Sequence, residues 1–431
     1  MQWLDDYFGV TARGSTIGTE IIAGLATFLT MAYIIVVNPA ILSEGGLDFG
    51  AVFVATIIAA IVGTTIMGAW ANWPVALAPG MGLNAFFTYG VVLGMGQSWA
   101  VALGAVFVSG VLFLILSLTG LREWVINSIP KSLKLGIGAG IGMFLAIIGL
   151  KNAGVVVDHP ATLVGLGDFV TYPVQLFLLG FVIMVVLDRL RIPGGIVMGI
   201  IAVSIIGWVT GTSEFSGVVG PVPSLEPTMF KLDINGALTA AMIGVVFALL
   251  FVDFFDTAGT LTSVANISGK IGEDGKIENI GKAVISDSVA TCVGALFGTS
   301  NTTSYIESAA GIKEGGRTGL TAIVVAVFFL LCLGFAPLAK SIPAYATGAA
   351  LVFVATHFMR NVLDIDWDDV TEYAPAVLAA ILMPLTFSIA NGIAIGFIVY
   401  AIGKIASGRI SDANPAVLLV AVLGVAHYVF G

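Results

Sequence analysis

Apolar runs of sixteen or more residues recur along the chain from Ile17 to Phe430. No soluble fold has an interior for so many. A helix that crosses the hydrocarbon needs about 20 apolar residues, somewhat fewer when it is short or tilted. Lipid offers the backbone no hydrogen bonds, so such a chain must fold as a bundle of spanning helices. Of 431 residues, 58% are hydrophobic and 10% charged, against about a quarter charged in a soluble domain. The first run, Ile21 to Val37, has no basic n-region and no small-residue cleavage motif, which predicts a retained helix rather than a removable signal.

The runs predict fourteen spans, roughly 18–38, 50–71, 82–94, 99–119, 133–150, 172–188, 193–210, 238–266, 280–298, 303–313, 316–338, 344–360, 374–388 and 390–407. The apolar stretch 414–430 is left over. A cytoplasmic N-terminus places Arg13, Arg122, Lys131, Lys134, Arg189, Arg191, Lys270, Lys276, Lys282, Lys313, Arg317, Arg360, Lys404 and Arg409 inside and only Lys151, Lys231 and Lys340 outside. A one-span error would flip every later loop, so the positive-inside bias supports both the orientation and the count.

The net charge of −9 matters less here than its placement in loops. Cys292 and Cys332 lie in separate apolar runs and read as small packing residues, and His159, His357 and His427 are too scattered for a metal cluster. No catalytic residue, metal or cofactor is expected.

Ser128-Ile129-Pro130 precedes the fifth span and Ser341-Ile342-Pro343 the twelfth. Further on, Ile192, Gly195, Ile196, Gly199 and Gly211 recur at a constant offset as Ile389, Gly392, Ile393, Gly396 and Gly408. Two sets of seven spans follow. Seven is odd, so the second set enters from the opposite side, giving an inverted repeat of the kind that builds secondary transporters. The fold class expected is an all-α polytopic membrane protein, a 7+7 inverted repeat, with half-helices or short extended segments at spans three and ten.

In such folds the binding site lies near the midplane, at interrupted spans in matching positions of the halves. Around the third span, Trp73-Pro74-Val75-Ala76-Leu77-Ala78-Pro79-Gly80 precedes Gly82, Asn84, Phe86 and Phe87, and residues before proline favour extended backbone. Around the tenth, Gly298 to Ser308 is polar, holding Tyr305 and Glu307. Irregular backbone at this depth must line a protected cavity. Two half-helix N-termini would aim free N–H groups at one centre.

In the eighth span Asp253, Asp256 and Thr260 stand at i, i+3 and i+7, on one face of a helix. Each charge at the bilayer centre costs about 2.5–3.5 kcal/mol on insertion scales, so intramembrane acids are functional by default. A proton on one of two neighbouring buried carboxylates relieves their repulsion, the raw material of proton coupling. Asp256 and Asp253 are the candidates, with Asp287 of the ninth span as either a network member or a third proton site. The bland alternative is a structural network bonding the acids to the broken helices. No lysine or arginine lies in the eighth span or ahead of the tenth, which favours a substrate rich in N–H donors. Phe86, Phe87, Phe254, Phe255 and Tyr305 are candidate faces for a flat ring.

The chain resembles the nucleobase cation symporter-2, or nucleobase–ascorbate transporter, superfamily and its AzgA-like branch of adenine, guanine and hypoxanthine permeases. The resemblance rests on the motifs Ala23 to Ile34 (AGLATFLTMAYI), Ala78 to Ala85 (APGMGLNA), Asp253 to Thr260 (DFFDTAGT) and Thr303 to Gly311 (TSYIESAAG). It covers nearly the whole chain. It implies a core domain of 1–119 and 236–340 moving against a gate domain of 120–211 and 341–431, as a homodimer in the cytoplasmic (inner) membrane. The base would bind between spans three, eight and ten. Carried over by position, Asn84, Asp253, Asp256 and Glu307 are the substrate-site residues, with Gly82 permitting close backbone approach and Thr260 facing the pocket.

The expected function is proton-coupled purine uptake, with Glu307 accepting N–H bonds from the base and Asp256 or Asp253 taking the proton. A carboxylate meets N1–H and the 2-amino group of guanine, N1–H of hypoxanthine, and a lone pair at N1 of adenine, which orders the preference. The partners expected are a purine base, a proton, the bilayer and a second copy of the chain, with no nucleic acid. A sulfate-type anion carrier, a xanthine or uracil permease, a channel and an intramembrane enzyme are the competing readings.

Overall fold

The computed structural model describes residues 2–119, 130–271 and 276–430; Arg122, Ser128 and Ile129 lie outside the described residues, as does the side chain of His427. The elements that position the site are α1 (Ile17–Met31), α2 (Ile34–Glu44), α3 (Phe49–Ala69), β1 (Leu77–Pro79), α4 (Met81–Ala85, continuing as a π-helix over Phe86–Gly94), α5 (Trp99–Thr119), α6 (Lys131–Asn152), α7 (Tyr172–Arg189), α8 (Gly195–Thr210), α9 (Ala240–Ser268), α10 (Ile280–Phe297), β4 (Thr302–Ser304), α11 (Ser308–Lys313), α12 (Gly319–Leu331), α13 (Ala344–Met359), α14 (Val370–Thr386), α15 (Ile389–Ala406) and α16 (Pro415–Phe430). A short hairpin of β2 (Val156–His159) and β3 (Leu163–Leu166) joins α6 to α7 and has no counterpart in the predicted spans.

Among the described residues ten helices are long and apolar enough to cross a membrane, and Met81–Gly94, Gly195–Thr210 and Val370–Thr386 are shorter apolar helices. Strand β4 with α11 takes the remaining, tenth position. The first span runs further than 18–38: α1 and α2 follow one another to Glu44, with turn backbone at Ala32 and Tyr33. The leftover stretch is the helix α16, packed on α15.

The interrupted spans meet as predicted. Strand β1 pairs antiparallel with β4, Leu77 opposite Ser304 and Pro79 opposite Thr302. The outer edges of so short a sheet would be orphaned in lipid. Two threonines close them. Thr64 Oγ1 accepts from Leu77 N at 2.9 Å and donates to Leu77 O at 3.2 Å, while Thr291 Oγ1 accepts from Thr302 N at 3.1 Å and donates to Thr302 O at 3.0 Å. Thr64 sits on α3 and Thr291 on α10, the second spans of the two sets, and beside them Gly63 presses on Ala290. The repeat is thus visible down to single hydrogen bonds.

Its second signature also has a structural counterpart: Pro130 and Pro343 stand at the N-caps of α6 and α13. Gly211 and Gly408, just past α8 and α15, both take left-handed φ, 72° and 77°.

Helices α1, α2, α3, α4, α5, α9, α10, α11 and α12 pack among themselves, and so do α6, α7, α8, α13, α14 and α15. Between the two groups run the contacts of α4 with α6, α9 with α15, α1 with α8 and α2 with α13.

Candidate functional site

A cavity of about 910 Å³ lies between the two groups of helices. Its inner end is formed by Tyr33 at the break after α1, Gly80 and Met81 after β1, Asp256 and Thr260 of α9, and Thr303, Ser304, Tyr305 and Glu307 around β4. The opposite wall comes from Met184 of α7, Ile192 to Ile196 leading into α8, and Phe353, Val354, His357 and Phe358 of α13. Its mouth carries the exposed side chains of Asp188, Arg191, Lys313, Glu314 and Arg360.

Asp256 and Glu307 share this chamber. Glu307 is the N-cap residue of α11, and Oε1 accepts from the Tyr33 hydroxyl at 2.7 Å. Asp256 stands beside the Thr303 hydroxyl. Tyr305 lines the same space, with its hydroxyl donating to Pro79 O at 2.6 Å, which braces β4 against the end of β1. Thr260 lies one turn beyond Asp256 on the same wall.

The other predicted residues sit elsewhere. Asp253 is buried behind the chamber, its Oδ2 accepting from Asn301 Nδ2 at 2.9 Å and lying 3.0 Å from Thr291 Oγ1, whose one hydrogen Thr302 O and this carboxylate share. The i to i+3 step that places two residues on one helix face still turns them about 60° apart, enough to send Asp253 to α10 and Asp256 to the cavity. Asp287 is one hydrogen bond behind the wall: Ser304 Oγ, which lines the cavity, donates to it at 2.8 Å, and Thr257 Oγ1 donates at 2.5 Å. Asn84 is fully buried, with Oδ1 accepting from Ser300 Oγ. Phe86 and Phe87 are core residues, and Phe254 packs edge-on against Phe113. At Gly82 a side chain would collide with Ile141 of α6, so its close approach is to a helix of the other group.

Five residues around the site have no role in the sequence reading. Tyr33 was visible within the first-span motif but without a role. His357 lines the cavity although it stands alone in sequence. Glu20, fully buried, accepts from the backbone N–H groups of Arg317 at 2.9 Å, Thr318 at 3.3 Å and Thr321 at 3.2 Å, closing the N-terminus of α12. Arg191 and Arg360, expected only as inward-side charges, sit at the cavity mouth.

Residues 18–395 match the model of a permease family, that of the nucleobase–ascorbate transporters. The chain belongs to this permease family. Similar relatives include an adenine permease of Escherichia coli, 43% identical over 427 residues, covering 99% of this chain and 96% of the relative. A guanine/hypoxanthine permease of Bacillus subtilis is 45% identical, covering 96% of this chain and 98% of the relative. Among solved structures, the transmembrane domain of a cyanobacterial bicarbonate transporter matches this permease with a TM-score of 0.65 at 16% identity, covering 86% of this chain and 96% of that one. The fold is therefore the 7+7 inverted repeat, and the permease is a multi-pass membrane protein rather than an enzyme.

Proposed function

We propose that this permease imports purine nucleobases together with protons across the cytoplasmic membrane. The observation that carries the reading is that Asp256 and Glu307 face one chamber where the two strands meet. Glu307, held by Tyr33, accepts N–H bonds from the Watson–Crick edge of the base. Asp256 takes the proton. Asp287, reached through Ser304, is a second station for it, and Asp253 with Asn84 braces the strands from behind. Guanine and hypoxanthine offer N–H donors to a carboxylate where adenine offers a lone pair, so they rank first, and relatives named for all three bases support the purine class.

The positive-inside bias puts the mouth, with Arg191, Lys313 and Arg360, in the cytoplasm together with the N-terminus. The chamber then faces inward. Transport follows when the core, 1–119 and 236–340, slides past the gate, 120–211 and 341–431, and Gly82 against Ile141 lies on that sliding boundary. A homodimer would anchor the gate. Likeness to a bicarbonate transporter favours an anion carrier as the second reading. Two carboxylates at the closed end of the chamber repel an anion, which ranks it lower.

Counterflow of labelled hypoxanthine in proteoliposomes, with adenine, guanine, xanthine and uracil as competitors, tests the reading. Displacement by guanine ahead of adenine, xanthine and uracil is expected. Exchange of bicarbonate or sulfate without exchange of any base contradicts it.

A further inference from the structure

The cavity is several times larger than a purine base, and the outer part has its own chemistry. Its inner end carries the carboxylates Asp256 and Glu307. Its mouth carries Arg191 from the α7–α8 turn, Lys313 from the end of α11 and Arg360 from the end of α13. Three separate elements thus deliver cations to one opening. Asp188 and Glu314 stand on the same rim, which leaves three basic groups against two acidic ones.

The spacing matters. Lys313 follows Glu307 by six residues, most of them on α11, so the two lie about 9 Å apart along its axis at 1.5 Å per residue. That matches the reach from the Watson–Crick edge of a purine nucleotide to its 5′-phosphate. Between the two ends His357 lines the wall, with Nδ1 facing Phe353 O at 3.3 Å, so the other ring nitrogen is available to a sugar hydroxyl. Guanidinium groups suit phosphate because they pair with it bidentately.

We propose that the inward cavity binds purine nucleoside monophosphates, the base against Glu307 and the phosphate at the mouth among Lys313, Arg191 and Arg360, as inhibitors that are not carried. The proposal rests on the purine reading above. A phosphate that must follow the base past two carboxylates and across the bilayer midplane is too costly to move, so the bound nucleotide holds the cavity open. The ligand is the product of any reaction that attaches ribose phosphate to the imported base, and its accumulation would slow further uptake.

The test is competition against labelled hypoxanthine on the purified full-length protein in nanodiscs. Inosine 5′-monophosphate is expected to compete at least tenfold more tightly than inosine. Raising salt from about 50 to 500 mM is expected to erase that advantage, as screening requires. The double variant Arg191→Gln with Arg360→Gln is expected to abolish it while hypoxanthine affinity stays within twofold. If the monophosphate competes no better than inosine, or if the double variant weakens hypoxanthine as much as the nucleotide, the proposal is overturned and the base site stands. If wild-type protein binds no hypoxanthine, the purine reading itself fails and takes the nucleotide with it.

Discussion

The hydroxyl of Tyr33 donates to Oε1 of Glu307 across 2.7 Å, joining the turn after α1 to the residue that caps α11. A carboxylate in an aqueous cavity has several rotamers, and this bond selects one. Tyr33 therefore acts as a positioning residue. Tyr33→Phe removes a hydrogen bond to a charged group, about 1.5–3 kcal/mol, and is expected to raise KM for the preferred base at least tenfold with a smaller change in kcat. Transport kinetics at several base concentrations separate this from a folding defect, which would lower kcat through the amount of active protein and leave KM alone.

Thr64 serves both backbone groups of Leu77. Thr64→Val is isosteric but leaves a buried N–H and a buried carbonyl unpaired, at about 1–3 kcal/mol each. A clear fall in the unfolding temperature is expected, with Thr64→Ser close to wild type. Intrinsic fluorescence during heating in detergent checks it. An unchanged midpoint in the valine variant would mean that water reaches the strand edge.

Much of this was legible in the sequence, and the reasons for the rest are particular. Pro74, Pro79 and the polar run before Ser308 announced β1 and β4 because proline and unpaired polar backbone exclude helix there. Asp256 and Glu307 announced themselves by the cost of charge in lipid. Thr64 and Thr291 did not, since a threonine inside an apolar helix is unremarkable until its neighbour is a strand edge. Glu20 carries no distinguishing signal in the sequence, and only the fold brings Arg317 to Thr321 over it. Gly82 read as room for a ligand but makes room for Ile141. Helical spacing put Asp253 and Asp256 on one stripe, and spacing alone does not tell which edge of a stripe meets a cavity.

Lys270, just past α9, is buried against the Trp73 ring, 3.9 Å from Glu278, and its burial lowers the ammonium pKa to about 8. Between that value and the ordinary lysine pKa of about 10.4 the unfolded chain binds a proton that the folded chain does not. Stability contributed at this site therefore rises with pH across that window, by about 3 kcal/mol. Lys270→Met is expected to be more stable than wild type at pH 7 and to lose this rise. Unfolding temperatures of the two proteins from pH 7 to 10.5 check it, and parallel curves would contradict it.

The division of labour between Glu307 and Asp256 is the central claim, and pH-gradient-driven accumulation of labelled hypoxanthine in proteoliposomes tests it most directly. Glu307→Gln is expected to lose base binding and all uptake. Asp256→Asn is expected to keep binding and base-for-base exchange while losing accumulation driven by the proton gradient. Equal loss of binding in both variants, or gradient-driven accumulation that survives Asp256→Asn, would contradict the account.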